Sequence, residues 1–236
     1  FSIYSVRGPL TAQALNIPLR KSIGDSAYLC ITTDRFKKLF ALKKKYRVSV
    51  MPHHQTATTI DWETIGMVGE LHFIDPRKDF FRVFEDIAQS EYVLTESLHG
   101  AIFADALRTA WQPFRMGHRF NMFKWRDWLE SIHVEVPAFQ KYPILCSEKL
   151  SLTRRAKHVI ERACGNALRH DRLSQKPIRT NSAHELEKFA KQLEKQALTK
   201  QCYLSKDITL QNILSGLIDC VESIRAQYGN ELRSSA

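Results

Sequence analysis

Tyr92-Val93-Leu94-Thr95-Glu96-Ser97-Leu98-His99-Gly100-Ala101-Ile102-Phe103-Ala104-Asp105-Ala106-Leu107 reads as a strand that turns at once into a helix. Tyr92–Thr95 has strand composition, and the helix runs from about Leu98 to Leu107. Repetition of this unit on both sides points to an α/β domain with a largely parallel sheet. Upstream, Phe80–Ile87 is helical, with Phe81, Val83, Phe84 and Ile87 apolar, and Leu71–Ile74 is a strand. Tyr46–Met51 is another strand, with Val48 and Val50 pointing one way. A helix is expected over Asp34–Lys45, burying Phe36, Leu39, Phe40 and Leu42. Ser2–Val6 reads as a strand, and Pro9 suits the first turn of a short helix, Leu10–Leu15. Downstream, Gln112–Met116 is a further strand.

From about Ser151 the pattern is helical. Leu152, Ala156, Val159, Ile160 and Ala163 form one apolar stripe. Ser182-Ala183-His184-Glu185 is a capping box, in which serine and glutamate satisfy each other's end donors. Leu186, Phe189, Leu193 and Ala197 follow at helical spacing. Asp207 caps a last helix with the stripe Leu210, Ile213, Leu214, Leu217, Val221 and Ile224, which Gly229 is placed to end. His170–Asn181 is polar, contains Pro177 and reads as a linker. The expected organisation is an α/β lobe over residues 1–150 and a helical extension over 151–236, with the linker near 170–181. The extension should pack back onto the lobe or onto a preceding half.

The 236 residues are 44% hydrophobic, enough for a real core. No apolar run approaches the ~20 residues that span a bilayer, and no N-terminal signal is visible. The chain opens on Phe1 in what already reads as a strand, so a preceding segment is expected. Five scattered cysteines without a C-x-x-C pair argue against zinc and against a disulfide framework, and fit a reducing cytoplasm. The net charge of +10 is spread along the chain, with 20 Lys/Arg against 16 Asp/Glu in residues 1–150. Its first use is solubility. Peripheral contact with the anionic inner face of a membrane is the next reading. No nucleic-acid-binding motif is present, and no nucleic-acid partner is expected.

In an open parallel sheet, ligands bind beyond the C-terminal ends of the strands. Strand Ser2–Val6 leads to Arg7-Gly8-Pro9, and Ile23 to Gly24-Asp25. Tyr46–Met51 leads to Pro52-His53-His54, Leu71–Ile74 to Asp75-Pro76, and Tyr92–Thr95 to Glu96-Ser97-Leu98-His99-Gly100. This concentration of ionisable groups on one edge has the character of a polar active site. Arg7, His54, Glu96 and His99 are therefore expected together on that edge.

The same residues carry a resemblance. Val6-Arg7-Gly8-Pro9-Leu10-Thr11 and Ile23-Gly24-Asp25-Ser26-Ala27 resemble the "VRGP…GDPA" pair of the polysaccharide pyruvyl transferase family. Pro52-His53-His54 is similar to its "PHH/PHY" strand end, and Thr95–Leu107 to its most distinctive segment. Phe123-Lys124-Trp125-Arg126-Asp127-Trp128 resembles the "KWxDW" stretch of the bacterial exopolysaccharide ketalase branch, which includes succinoglycan-type enzymes. The resemblance covers about residues 1–135. It implies a Rossmann-like parallel-sheet domain, the second half of a GT-B-like fold. It also implies transfer of pyruvate from phosphoenolpyruvate, as a ketal, to a sugar of a lipid-linked oligosaccharide or polysaccharide.

That reaction needs cationic or N–H donors for phosphate and carboxylate, and an acid and a base. It requires no metal or organic cofactor. The resemblance assigns His99 to the donor site, at a helix N-terminus suited to an anion. Many family members have Ser-Arg-Leu-His where this chain has Glu96-Ser97-Leu98-His99, so another cation should replace the arginine. Arg7 and Lys124 are the candidates, Arg7 with a planar fork that grips an oxyanion in two places. Glu96 is a candidate acceptor of a sugar hydroxyl proton, with His54 as the second acid/base. Asp25 and Gly100 complete the candidate binding set, whereas His53 is expected to be structural. For Asp25 and Asp75, capping or loop bracing is the simpler role. Trp125 and Trp128 are expected in the core rather than as a sugar platform. Two other readings stand beside pyruvyl transfer: a GT-B glycosyltransferase using a nucleotide sugar, and a non-catalytic interaction domain.

Overall fold

Apolar, β-branched and aromatic side chains at Val48, Val50, Tyr92, Val93, Leu94, Trp111 and Phe114 are buried, and the strands carrying them lie between two helical layers. The computed structural model describes residues 2–116, 120–143, 145, 181–199 and 201–233. The stripe Leu152–Ala163 and the linker up to residue 180 lie outside the described residues. Along the chain come α1 (Pro9–Ala14), α2 (Asp34–Lys37), β1 (Tyr46–Met51), α3 (Trp62–Val68), β2 (His72–Phe73), α4 (Phe80–Ala88) and β3 (Ser90–Thr95). Then follow α5 (Leu98–Ala106), β4 (Ala110–Met116), α6 (Met122–Ser131), β5 (Gln140–Tyr142), α7 (Ala183–Leu198) and α8 (Asp207–Arg233). The five strands form one parallel sheet in the order β2-β1-β3-β4-β5.

The sheet is wrapped on both sides. On one face, Trp62 and Ile65 of α3 and Phe189 and Leu193 of α7 cover Val48, Val50, Leu94 and Phe114. On the other, α4, α5, α6 and α8 cover Val93 and Trp111 with Phe84, Ile102, Trp128 and Ile213. Helices α7 and α8 thus pack back onto the sheet, as the apolar stripes foretold. Specific bonds fix them there. Gln196 donates its side-chain amide to Pro113 O at 3.1 Å. Arg108 holds Ser205 O at 2.6 Å and Asp207 at 2.8 Å, which anchors the start of α8. The capping box at Ser182 and Glu185 forms as read.

Three expectations are corrected. Ser2–Val6 is not a strand of the sheet: it makes only an isolated parallel bridge between Val6 and Ser22. Arg7 and Asp25 therefore do not follow strands of the five-stranded sheet. The Asp34–Lys45 helix is one turn, α2, continued by a 3-10 turn over Lys38–Ala41. Phe36 and Leu39 are buried there while Phe40 stays 48% exposed, a spacing of three that suits the tighter helix. Helix α8 passes Gly229 and ends at Arg233.

Candidate functional site

The sheet order fixes where a ligand fits. From β1 the chain crosses to β2 through α3 on one face, and from β3 it crosses to β4 through α5 on the other. The segments leaving β1 and β3 therefore diverge, and in a sheet of this topology the crevice that takes a ligand is expected beyond these two adjacent strands. Pro52-His53-His54 and Glu96–His99 are the segments that border it.

Glu96 is buried at this edge and faces inward. One carboxylate oxygen accepts from His53 N at 3.0 Å, just past β1. The other accepts from Met116 N at 3.0 Å, at the end of β4. Thr56 adds a side-chain hydrogen bond. Burial raises the Glu96 pKa above its ordinary 4.5, against the downward pull of these three donors. The carboxylate thus ties the ends of β1, β3 and β4 together. Sequence reasoning turned it toward a sugar; the fold turns it toward the backbone. Ser97 caps α5, its Oγ accepting from Gly100 N at 3.4 Å.

His99 stands exposed on the first turn of α5, its ring stacked against Phe103 with centroids 5.7 Å apart. Phe103 in turn meets Phe80, which is 50% exposed. Gly100 is what lets α5 start so close to the strands. A Cβ there would lie 2.4 Å from Thr95 Oγ1 and 2.9 Å from Met51 Sδ. Beyond β1, His53 is anchored through its backbone to Glu96, while His54 is exposed against it, ring centroids 4.1 Å apart. Burial, and then the neighbouring His54, lower the pKa of His53.

The remaining motif residues form a second group. Arg7 Nε donates to Asp25 at 2.7 Å, and the other Asp25 oxygen accepts from Ala27 N, starting a 3-10 turn. Asp25 therefore braces a loop and orients Arg7. Asp75 does the same for Arg77, which grips it with two nitrogens at 2.8 Å. Asp127 of α6 is fully buried and accepts from Thr11 N at 2.9 Å and Thr11 Oγ1 at 2.5 Å. Gly8 packs on the same residue, a Cβ there lying 1.9 Å from Asp127 O. The Arg7-Gly8-Pro9-Leu10-Thr11 and Lys124–Trp128 motifs are thus two halves of one joint. Lys124 is exposed on the first turn of α6. Trp125 and Trp128 are buried, as expected of core residues.

Arg115 was missed by looking only at residues after strands. It lies within β4 among buried neighbours, with its Nε shielded from solvent and without a hydrogen-bond partner among the described residues. Its signal in the sequence is a lone cation in the run Trp111–Met116. Among the described residues, no cluster of His, Cys, Asp and Glu is arranged to hold a metal ion, and no helix is long and apolar enough to cross a membrane.

This chain is similar to a succinoglycan biosynthesis protein. It is 38% identical over 134 residues to the succinoglycan biosynthesis protein ExoV of Rhizobium meliloti (strain 1021), an alignment taking in 57% of this chain and 42% of that protein. The chain thus spans less than half the length of this curated relative. No family model and no solved structure matches it.

Proposed function

We propose that this chain forms one lobe of an enzyme that transfers pyruvate from phosphoenolpyruvate to a sugar of an exopolysaccharide unit, as a ketal. A second lobe of a longer, GT-B-like protein would close the crevice. The carrying observation is an asymmetry at the sheet edge. Two buried carboxylates at the strand ends, Asp75 and Glu96, are already engaged by protein donors. The side chains of His54, His99, Lys124 and Arg115 make no hydrogen bond or ion pair among the described residues. An edge whose acids are engaged, Asp75 with Arg77, and on which His54, His99 and Arg115 keep unbonded nitrogens suits a multiply charged anion.

In this reading the donor's oxyanions lie against α5 and the cations near it. A proton is delivered to the methylene carbon, and C2 becomes electrophilic. One sugar hydroxyl adds at C2 and loses its proton. The C–O bond to phosphate breaks, and the second hydroxyl closes the ketal as its proton departs to a base or to the leaving phosphate. His99, exposed and unpartnered, is the group proposed to donate to the phosphate or deliver the first proton. His54, across the crevice, is proposed to accept a hydroxyl proton. Glu96 holds the strand ends on which both stand. The donor substrate carries the chemistry, with no metal or organic cofactor invoked. A lipid-linked acceptor would place the enzyme at the inner face of the cytoplasmic membrane.

The test is pyruvyl transfer by the intact protein from phosphoenolpyruvate to a lipid-linked sugar, followed as phosphate release and ketal product. His99→Ala should lower turnover roughly 100- to 1,000-fold with the fold intact. His99→Gln keeps a donor but cannot shuttle a proton. Activity retained in Gln assigns His99 to binding; activity lost in both, with phosphoenolpyruvate affinity kept, assigns it to proton transfer. Full activity in His99→Ala refutes the placement of the site.

A further inference from the structure

We infer that Arg115, with Lys141 beside it, is an oxyanion ligand of this crevice and takes the place of the arginine missing from Glu96-Ser97-Leu98-His99. The strand pattern sets its direction. Along β4, Phe114 and Met116 pack into the core shared with α3 and α7, whereas Trp111 packs with Trp125 and Trp128 of α6. Side chains alternate along a strand, so Arg115 shares the face of Trp111, which is also the face carrying α5. In the parallel register Thr95 is level with Pro113. Arg115 lies two residues further on, roughly 6–7 Å beyond the end of β3, where α5 begins. Met116, its neighbour, donates its N–H to Glu96, which fixes this point of β4 to the crevice.

The charge balance there is unusual. Lys141 is the Cα partner of Arg115 across the β4–β5 pair, so the two cations are neighbours on one face. Arg115 Nε is shielded from water and unbonded, and neither side chain makes an ion pair among the described residues. The side chain is half-buried and its Nε is the shielded atom; a shielded N–H without an acceptor is costly, and an apolar residue would avoid that cost. Its presence there fits a ligand that arrives with the countercharge. Arginine's fork suits phosphate or carboxylate in two contacts, and the neighbouring ammonium adds a point charge. That the anion belongs to phosphoenolpyruvate rests on the function proposed above; the anion site does not.

The test is calorimetric titration of the intact protein, and of its Arg115→Met and Arg115→Lys variants, with phosphoenolpyruvate and with inorganic phosphate. Thermal unfolding is followed in parallel. Arg115→Met should weaken phosphoenolpyruvate binding roughly 10- to 100-fold, the loss expected for charge-assisted bonds. Arg115→Lys should recover part of it. Weakening of phosphate as well places Arg115 on the phosphate end, and unchanged phosphate places it on the carboxylate end. Without ligand, Arg115→Met should unfold no earlier than the wild type, because a shielded N–H without an acceptor is removed. Unchanged affinity for both anions overturns the inference, as does a lower unfolding temperature with ligand-induced stabilisation intact, which marks a structural ion pair. A wild type that binds phosphate through Arg115 but not phosphoenolpyruvate refutes the donor and leaves Arg115 as an anion ligand. A wild type that binds neither overturns both.

Discussion

Replacing Glu96 by glutamine separates a clamp from a base. The carboxylate meets two backbone N–H groups, from His53 and Met116, each 3.0 Å away and each on its own oxygen. Glutamine has one oxygen, so its NH2 must face one of these donors. One charge-assisted bond is lost and one backbone N–H at the strand ends is left without an acceptor, at about 1–3 kcal/mol. An opposing effect exists: the amide escapes the desolvation that raises the carboxyl's pKa. That relief acts on a group still satisfied by three donors, whereas the orphaned N–H has no remedy, so net destabilisation of about 1–3 kcal/mol is expected. In thermal unfolding this is a fall of about 2–4 °C for each kcal/mol in a chain of this size. The pH dependence has a definite sign. A carboxyl whose folded pKa lies above its unfolded value of 4.5 contributes stability that is present below 4.5 and lost as pH rises through the folded value. The gap between wild type and Glu96→Gln should therefore narrow from acid toward neutral pH. A Glu96→Gln protein with an unchanged unfolding midpoint and no activity would refute the clamp and restore the carboxylate as sugar base.

Two further substitutions test the scaffold of the site. Gly100→Ala puts a Cβ 2.4 Å from Thr95 Oγ1 and 2.9 Å from Met51 Sδ; lifting the start of α5 should cost about 1–3 kcal/mol and lower turnover with it. Thermal unfolding reads the first effect, and an unchanged midpoint would mean the contact is not tight. Asp127→Ala strands Thr11 N and Oγ1, bonded now at 2.9 and 2.5 Å; about 1–3 kcal/mol should be lost in urea denaturation. Asp127→Asn keeps an acceptor and should lose less, and equal losses would argue against the hydrogen bonds.

The parts of the fold legible in the sequence are those in which one pattern serves one environment. Tyr46–Met51 and Tyr92–Thr95 read as strands because their side chains are buried on both faces, and α7 reads as a helix because its cap and stripe agree. Ser2–Val6 has the same local character, but a strand needs a neighbour, and only Val6 finds one. Gly229 reads as a stop, yet a glycine within a helix costs only about 1 kcal/mol, and α8 runs through it. The three-residue β5 carries too few side chains for any period to show. At the site, position was legible and direction was not. Glu96 was found because it follows a strand, but its inward turn depends on N–H groups 43 and 20 residues away. Arg115 was passed over because its meaning lies in what it fails to touch.

The same accounting bears on the nucleotide-sugar alternative. Both donors are anionic, so unspent cations do not distinguish them. Carboxylates do. Enzymes that bind nucleotides on a parallel sheet commonly use an acidic side chain beyond a strand to accept from ribose hydroxyls. Here Asp75 holds Arg77 bidentately, Asp25 holds Arg7 and a backbone N–H, and Glu96 holds the strand ends. Freeing any of them for a ribose would leave an arginine or buried backbone donors unpaired, at about 1–3 kcal/mol. A small donor that is almost all charge makes no such demand. It asks for cations, N–H groups and a proton source, and among the described residues His54, His99 and Arg115 keep nitrogens without a protein partner. On the function proposed above, this favours phosphoenolpyruvate over a nucleotide sugar as the donor.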